Sequence, residues 1–331
     1  MDAAEMTVEE FYREWNNEYD TITVRTSGST GTPKLMNVEK CRMIESAKMT
    51  CRYLGLTSRD SALLCMPLNY IAGKMVVVRC IVSGMKLIAV PPSGHPLKDL
   101  KDIPSFAAMV PMQVYNTLAV EEEAEKLKKV RNLIIGGGAV SKSLAAVLKD
   151  FPNAVWSTYG MTETLSHIAM RRLSGPDQSE YYTPLEGIAL SVNDKNCLCI
   201  SAPKICEGLL QTNDVVEFDK SHRRFKVIGR TDNVINSGGI KIHIEDVENA
   251  ITPLTDLRFA VTKQTDRKFG EIVVLAVARP CTASDMNRLK NVVEAKLPKY
   301  WHPRRYCAVD VIPMTETGKV ARKALYDMIN G

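Results

Sequence analysis

The chain has 331 residues, of which 45% are hydrophobic and 24% are charged, as is ordinary for a soluble globular protein. Its formal net charge is +5, but the basic residues are spread along the chain, so no concentrated basic arm points to nucleic acid. Its nine cysteines include no CxxC pair, which suggests neither a zinc site nor a disulfide framework and favours a reduced, cytoplasmic protein.

Strands and helices alternate through the first two-thirds of the sequence. We predict strands at 21–27, 61–67, 85–92, 130–138 and 153–160, and helices at 39–55 and 141–150. The most apolar run, near 75–82, contains Arg79 and is too short to span a membrane. This alternation predicts an α/β domain with a largely parallel sheet and helices on its faces.

Beyond about residue 180 the pattern becomes rich in β-hairpins, with turns at Asn193–Asp194 and Asp219–His222. After a boundary near 229–233, we predict helices at 244–252 and 284–296, strands at 257–263, 271–278 and 306–312, and a terminal helix. The fold class is therefore α/β, with a large N-terminal domain (1–229) that has mixed sheets and a β-rich subdomain. A small α+β C-terminal domain (230–331) follows.

A Ser- and Gly-rich segment, RTSGSTGTPK at 25–34, follows the first predicted strand. Small residues let backbone N–H groups approach phosphate oxygens, and Lys34 adds positive charge. The spacing of a Walker A loop is absent. Composition alone fits a flexible surface turn equally well.

Two further motifs end predicted strands, where ligands of open α/β sheets bind. Gly136, Gly137 and Gly138 would let a flat base lie against the backbone, although the GxGxxG spacing is absent. In STYGMTET (157–164), Tyr159 could cover the base, Thr162 could bind a phosphate and Glu163 could bind a magnesium ion. The alternatives are a plain strand-to-helix turn and an ordinary helix start.

The C-terminal third carries two more motifs. The segment GRTDN (229–233) lies between the predicted domains, where a hinge is expected, and Arg230 could bond ribose hydroxyls. Lys319, in TETGKVAR, could neutralise charge that develops on carboxylate and phosphate oxygens. Taken singly, the first could be a solvated linker and the second a surface lysine.

Together and in order, TSGSTGTPK, YGMTE, GRTDN…SGGIKI…EDVE and TETGKVAR resemble the signatures of the adenylate-forming superfamily of acyl-CoA synthetases, peptide adenylation domains and luciferases. The resemblance runs from about Thr21 to Lys323. It implies ATP, Mg²⁺ and coenzyme A as cofactors, and a mobile C-terminal domain that closes over the site. The sequence departs from the family pattern at Leu35 and at Asn213, and part of the usual N-terminal subdomain does not appear.

The resemblance also implies a role for each matching position. The catalytic group comprises Lys319, Thr162 and Glu163, with Glu163 as the metal ligand, and Asp232 is the hinge. The nucleotide-binding group comprises Thr26, Ser27, Ser29, Thr30, Lys34, Gly137, Gly138, Tyr159, Asp214 and Arg230. In this scheme Asp214 holds both ribose hydroxyls and Arg230 assists it.

The segment at 66–88 is similar to one in the o-succinylbenzoate–CoA ligases of menaquinone biosynthesis, with Tyr70 where histidine is common, and 109–118 also resembles that branch. Its substrate is an aromatic dicarboxylate, so the carboxylate that is not activated needs a positive partner. Arg79 is the first candidate and Lys74 the second, because burying an unpaired guanidinium is costly. A structural pairing of Arg79 is the alternative.

We therefore expect an ATP-dependent acid–CoA ligase that acts through an acyl-AMP, with o-succinylbenzoate as its acid. The alternatives are a CoA ligase for another aryl or small acid, and an adenylation enzyme that loads a carrier protein. A non-catalytic relative is a third. We expect no nucleic-acid or membrane partner, and a homodimer is a possible assembly.

Overall fold

The computed structural model describes residues 5–25, 35–315 and 319–331. Within these ranges the chain forms an α/β protein built on four β-sheets. The helices are α1 (Val8–Trp15), α2 (Lys40–Leu54), α3 (Ile71–Ser83), α4 (Pro111–Leu118), α5 (Glu121–Lys128), α6 (Lys142–Leu148), α7 (Ile244–Ile251), α8 (Ala283–Lys296) and α9 (Arg322–Asn330).

The strands pair in sequence order over most of the chain. They are β1 (Thr21–Arg25), β2 (Leu35–Glu39), β3 (Ser61–Leu64), β4 (Lys86–Ala89), β5 (Phe106–Met109), β6 (Asn132–Ile135), β7 (Ala154–Gly160), β8 (His167–Arg172), β9 (Thr183–Pro184), β10 (Ala189–Val192), β11 (Cys197–Ser201), β12 (Leu209–Phe218), β13 (Phe225–Arg230), β14 (Val234–Ser237), β15 (Ile240–His243), β16 (Phe259–Asp266), β17 (Gly270–Ala278) and β18 (Arg305–Val309).

The largest sheet has seven strands in the order β4-β3-β5-β6-β7-β8-β9. The first five run parallel, and β8 and β9 are antiparallel additions at one edge. Parallel strands need crossover connections, and α3 and α6 provide two of them. This mixed architecture confirms the predicted α/β class and its largely parallel sheet.

Three smaller sheets complete the fold. Strands β1 and β2 form an antiparallel pair, and β10 to β13 form an antiparallel meander, which is the predicted β-rich part. Strands β14 to β18 form the third sheet, in which only β18 runs parallel to its neighbour β17.

The apolar core is divided along the chain. Two buried clusters draw on residues between Phe11 and Phe225, and two others draw on residues between Ile235 and Ile329. The predicted division at 229/230 falls in the interval between them. The later clusters pack α7, α8 and α9 against the sheet that contains β17, as expected for a small α+β unit.

Helix α3 lies inside the protein, and all its residues from Gly73 to Cys80 are buried. A helix that is apolar all round shows no 3.6-residue periodicity, and for this reason the sequence did not predict it. A Cβ at Gly73 would lie 2.4 Å from the Pro67 carbonyl oxygen, so only glycine fits this first turn. None of the helices in the described ranges is long and apolar enough to cross a lipid bilayer.

Candidate active site

Two glycine-bearing strand ends lie side by side in the large sheet. Strands β6 and β7 pair in parallel, with Ile135 opposite Ser157, so Gly136–Gly138 and Tyr159 emerge at the same edge. A Cβ on Gly136 would lie 2.6 Å from the Thr158 hydroxyl, and Gly137 has a φ of +78°. Glycine is therefore required here because neighbouring atoms pack directly against the backbone, at the strand ends where ligands of open α/β sheets bind.

Tyr159 links the large sheet to the β-rich sheet. Its hydroxyl donates to Asp214 Oδ2 over 2.5 Å, and Arg230 Nη1 donates to Asp214 Oδ1 over 2.9 Å. Asp214 and Arg230 face each other across β12 and β13. The Tyr159 ring contacts Phe225 edge-on, with centroids 5.1 Å apart. Burial, and then the charge of Asp214, raise the pKa of Tyr159, so the phenol stays protonated.

Arg230 also joins Asp214 to the predicted hinge. Its Nε and Nη2 donate to the two carboxylate oxygens of Asp232 at 2.9 and 2.8 Å. These hydrogen bonds raise the pKa of Arg230. Burial alone would raise the pKa of Asp232, but the bonds and charge of Arg230 hold it below its ordinary value. Asp214, Arg230 and Asp232 therefore form one hydrogen-bonded cluster at the junction of the two predicted domains.

Lys319, in the C-terminal third of the chain, is influenced by the charges of this cluster. It is solvent-exposed, and its backbone N–H donates to Thr315 Oγ1 over 3.1 Å. The surrounding protein and then Arg230 lower its pKa, whereas Asp214 raises it. Lys319 is therefore within electrostatic range of the residues to which a ribose-binding role was assigned.

Thr162 and Glu163 lie in a single 3₁₀ turn, Thr162–Thr164, directly after β7. Glu163 is exposed, and its carboxylate forms no ion pair within the described residues. No group of three or more His, Cys, Asp or Glu side chains in those residues could hold a metal unaided. A lone exposed carboxylate suits magnesium, which takes one or two carboxylates and fills its shell with phosphate oxygens and water.

The turn continues into a strained residue. Leu165 is almost fully buried and has a φ of +61°, a conformation that leucine rarely adopts. Hydrogen bonds hold it there, from Leu165 N to Thr162 O at 2.9 Å and from Thr164 Oγ1 to Ser166 O at 2.8 Å. A Cβ on Gly160 would lie 2.3 Å from the Ser166 carbonyl oxygen, so this turn packs directly on β7.

Arg79 is buried against the same turn. Its side chain is 2% exposed, and its Nη2 donates to Ser166 Oγ over 2.6 Å. Its Nε has no hydrogen-bond partner in the described residues, and no carboxylate in them lies within ion-pair distance. Burial lowers the pKa of Arg79 to about 10, so the guanidinium still carries its charge at neutral pH. A buried cation without an anion is costly unless a ligand supplies one.

His167 and Thr50 continue the hydrogen bonds beyond Ser166. The Ser166 hydroxyl lies 3.3 Å from His167 Nδ1, and His167 Nε2 lies 3.0 Å from Thr50 Oγ1 on α2. Thr50 donates to the Ser46 carbonyl over 3.3 Å. Burial, and then the charge of Arg79, hold the pKa of His167 well below 6.5, so this histidine is neutral.

The second candidate cation, Lys74, is placed differently. Its Nζ donates to Glu14 Oε2 over 2.7 Å and lies 5.1 Å from the centroid of the Phe11 ring. Its charge is therefore already matched by α1. Tyr70 precedes α3 and forms a parallel bridge with Arg25, at the base of the Ser/Gly-rich segment.

The structure thus brings together most of the predicted site residues it describes. Tyr159, Asp214, Arg230 and Asp232 form one hydrogen-bonded group, and Gly137 and Gly138 follow the strand that pairs with that of Tyr159. The predicted phosphate-binding residues Thr26, Ser27, Ser29, Thr30 and Lys34 lie outside the described residues.

Sequence reasoning missed Thr50, Leu165, Ser166 and His167. Thr50 shares a helical stripe with Met43 and Ala47, and a hydroxyl in such a stripe is a signal that could have been used. Ser166 and His167 begin two residues beyond the YGMTET motif. Leu165 carries no sequence signal, since nothing in its type predicts a left-handed backbone.

A carboxylate held between a phenol and a guanidinium, beside the carboxyl ends of adjacent parallel strands, is the arrangement expected of a nucleotide-binding α/β enzyme. A family model described as AMP-binding enzyme matches residues 13–210. The chain belongs to this family.

Individual relatives agree with this assignment. The chain is 27% identical to the 2-succinylbenzoate–CoA ligase of Salmonella typhimurium, over 95% of this chain and 70% of that protein. Among solved structures, an acyl-CoA synthetase (AMP-forming)/AMP-acid ligase II-like protein from Dyadobacter fermentans is 32% identical, with a TM-score of 0.64. The match covers 97% of this chain and 93% of that one.

A third relative shares the fold at lower identity. The o-succinylbenzoate coenzyme A synthetase of Bacillus subtilis, solved with ATP and magnesium ion, is 20% identical with a TM-score of 0.73. The match covers 92% of this chain and 69% of that one.

Proposed function

We propose that this protein is an ATP-dependent acid–CoA ligase that converts o-succinylbenzoate to its CoA thioester through an acyl-AMP, in menaquinone biosynthesis. Membership of the AMP-binding family supports the adenylation chemistry, and the printed names of the curated relatives support the acid. The observation that carries the choice of a diacid is the buried Arg79, whose charge no carboxylate of the described residues matches.

The nucleotide binds at the common edge of β6 and β7. Gly137 and Gly138 admit the adenine base, and Tyr159 borders it. Asp214 accepts hydrogen bonds from the ribose hydroxyls, while the hydrogen bond from Arg230 holds its carboxylate in place. The phenol of Tyr159 fixes the other carboxylate oxygen. Thr26, Ser27, Ser29, Thr30 and Lys34 hold the phosphates, with Thr162 at the α-phosphate.

Adenylation joins two anions, so the site must offset their repulsion. A carboxylate oxygen of the acid attacks the α-phosphorus, and pyrophosphate leaves. Lys319 and Lys34 stabilise the charge that develops on the oxygens around that phosphorus. Glu163 is the carboxylate that would hold magnesium, which would neutralise part of the phosphate charge.

Arg79 selects the acid. It reaches Ser166, whose chain packs on Gly160 next to Tyr159, so the guanidinium lies near the nucleotide edge. A second carboxylate would receive its unpaired N–H groups and remove the cost of the buried charge. Lys74 is not needed for this role, because Glu14 already pairs with it.

The second half-reaction transfers the acyl group to the thiol of CoA. The sulfur attacks the acyl carbon of the mixed anhydride, and AMP leaves. In this proposal the C-terminal domain, 230–331, turns about Asp232 and presents the tight turn at Gly238–Gly239, whose φ values are +58° and +83°. Backbone without side chains there leaves room for the pantetheine arm.

The proposal is tested by CoA-thioester formation over a panel of acids with ATP and magnesium. The panel contains o-succinylbenzoate, simple benzoates and the two monoacid analogues that each lack one of its carboxylates. We expect o-succinylbenzoate to have the highest kcat/KM. A different preferred acid would make the protein a CoA ligase of other specificity, and transfer to a carrier protein but not to CoA would make it an adenylation enzyme.

Arg79→Ala probes the observation on which the choice of acid depends. We expect the KM for o-succinylbenzoate to rise at least about 30-fold, because removing one partner of a buried charge pair costs at least about 2 kcal/mol. The KM for the accepted monoacid should change much less. Lys74→Met is the matched control, a buried cation of the same helix that should shift both KM values by the same factor. Equal shifts for Arg79→Ala would contradict the assigned role.

A further inference from the structure

A continuous chain of hydrogen bonds connects Arg79 to α2, and only its first member is explained by the proposed function. It runs from the Arg79 guanidinium to Ser166 Oγ at 2.6 Å, to His167 Nδ1 at 3.3 Å, and from His167 Nε2 to Thr50 Oγ1 at 3.0 Å. The Thr50 hydroxyl ends it at the Ser46 carbonyl, 3.3 Å away. Apart from Ser166, every side chain in it is buried.

The two ends of the chain set its direction. A guanidinium can only donate and a carbonyl oxygen can only accept. Ser166 Oγ therefore accepts from Arg79, and its own proton is free for His167 Nδ1. The neutral imidazole then carries its proton on Nε2 and donates it to Thr50. In this direction, each hydroxyl and ring N–H of the hydrogen-bond chain has an acceptor. In the reverse direction, the Ser166 hydroxyl proton would have no acceptor among the described residues.

The backbone holds the same serine from the other side. Leu165 keeps its left-handed conformation although leucine disfavours it, and Gly160 leaves no space for the Ser166 carbonyl to move toward β7. Strain of this kind persists only where the surroundings over-determine the conformation, and it is found at sites that position a group. Both the backbone and the hydrogen-bond chain therefore fix the Ser166 hydroxyl.

We propose that His167 and Thr50 are positioning residues for acid recognition: they orient Ser166, and Ser166 holds the Arg79 guanidinium in the orientation that pairs with the second carboxylate of the acid. The inference rests on the proposed function, since it takes the ligand of Arg79 to be that carboxylate. His167 and Thr50 do not touch the acid, so their effect passes entirely through Ser166 and Arg79.

Two pairs of substitutions separate positioning from packing. Thr50→Val keeps the shape and removes the acceptor of His167 Nε2–H, whereas Thr50→Ser keeps the hydroxyl. His167→Leu removes both contacts, whereas the amide oxygen of His167→Asn can still accept from Ser166. Each variant is assayed for KM and kcat with o-succinylbenzoate and with the accepted monoacid, and its fold is checked by circular dichroism.

We expect Thr50→Val to raise the KM for the diacid about three- to tenfold, the effect of one lost hydrogen bond, with kcat and the monoacid KM within about twofold of wild type. His167→Leu should raise it further. Thr50→Ser should restore the wild-type KM, and His167→Asn should lie between His167→Leu and wild type.

Equal changes for diacid and monoacid, in any of these variants, would mean that the residues only support the fold and would overturn the inference. The inference would also be overturned if Thr50→Val and His167→Leu kept the wild-type KM values while Arg79→Ala still raised the KM for the diacid. That result would leave the proposed function standing. If wild-type protein formed no thioester from o-succinylbenzoate, the proposed function would fail first, so the two failures can be told apart.

Discussion

His167 shows how a single buried side chain can make the stability of this protein depend on pH. The imidazole faces the Arg79 guanidinium from α3 and Thr50 from α2, with Cys51 beside Arg79. Accepting a proton would place two cations together in the interior and break the bond from Ser166. The folded protein therefore keeps His167 neutral in a range of pH where the unfolded chain would protonate it.

The sign of the effect follows from proton counting. Below pH 6.5, the ordinary value for histidine, the unfolded state binds a proton at this position and the folded state does not. Stability is then lost as the pH falls, with a slope that approaches about 1.4 kcal/mol per pH unit. We expect this contribution to lower the free energy of unfolding by about 1 kcal/mol between pH 7 and pH 5.5.

Urea unfolding of wild type and His167→Gln at pH 7 and pH 5.5 isolates this contribution. The other histidines titrate in both proteins, so they cancel when the two pH dependences are subtracted. Between pH 7 and pH 5.5, we expect the free energy of unfolding to fall by about 1 kcal/mol more in the wild type than in His167→Gln. Identical pH dependences would show that His167 is protonated in the folded protein, and the direction of the hydrogen-bond chain would then be wrong.

Residues of the site were predictable from sequence to the extent that their type alone carried the signal. Tyr159, Asp214 and Arg230 belong to recognisable motifs, and the structure brings them into one hydrogen-bonded group. Ser166 and Thr50 were not predictable in the same way. Each is a common hydroxyl residue, and its meaning depends on a contact with Arg79 or His167 that joins segments far apart in the chain.

Among the elements, α7 and α9 are joined by a bidentate salt bridge between Glu248 and Arg322, which we call the fork. It lies close in sequence to Lys319. Arg322 Nη1 and Nη2 donate to the two carboxylate oxygens of Glu248 at 2.7 and 2.6 Å, and Arg322 Nη1 also donates to the Val261 carbonyl over 3.0 Å. Arg322 is the first residue of α9, three positions beyond Lys319. The fork therefore fixes the point from which the lysine turn projects.

Glu248→Gln tests this anchor. The amide cannot match both guanidinium nitrogens, so we expect a loss of about 1–3 kcal/mol in stability, the range for hydrogen bonds to charged groups. Adenylation, measured as ATP–pyrophosphate exchange, should fall severalfold because Lys319 is less well placed. Lys323→Gln is the control, since its pair with Asp327 on the same helix is exposed and should change stability by no more than about 0.5 kcal/mol.

If Glu248→Gln behaved like the Lys323 control in both measurements, the fork would be a surface pair without influence on the lysine turn. A loss of stability with unchanged exchange would mean that the anchor serves α9 only.

Elements with clear boundaries were predicted well. Helix α2 ends before Gly55, which adopts the left-handed conformation, and α8 begins after Thr282, whose side chain caps it. Helix α3 was missed because burial on all sides removes its periodicity. The hairpin of β14 and β15 was also missed, because Gly238 and Gly239 were interpreted as part of a binding motif and not as a turn between strands.

At the scale of the whole molecule, the proposed nucleotide site draws on two of the four sheets and on the segment that precedes α9. Tyr159 comes from the large sheet and Asp214 from the β-rich sheet, and Lys319 from a turn that leads into α9, which packs on β16. No single sheet could therefore carry out the reaction. The predicted mobility of the C-terminal domain concerns this last contribution, since it decides when Lys319 is present.

Lys319→Ala tests whether the lysine serves only the first half-reaction. We expect adenylation to fall by about 100- to 1000-fold, because an electrostatic group aimed at developing charge has been removed. Formation of the thioester from preformed acyl-AMP and CoA should be spared, because no phosphate charge has to be neutralised in that step. Equal loss in both steps would contradict a role confined to adenylation.

The close approach at Gly160 limits how this enzyme could be redirected to other substrates. With 2.3 Å between a would-be methyl carbon and the Ser166 oxygen, the two stretches of backbone are in direct contact and leave no space for a shift of one toward the other. An acid that pushed on Ser166 would displace the phenol that borders the base, so a misfitting acid would spoil nucleotide alignment and would not be adenylated efficiently. Altered specificity should therefore be sought by exchanging side chains around Arg79, with the strand at Gly160 left untouched.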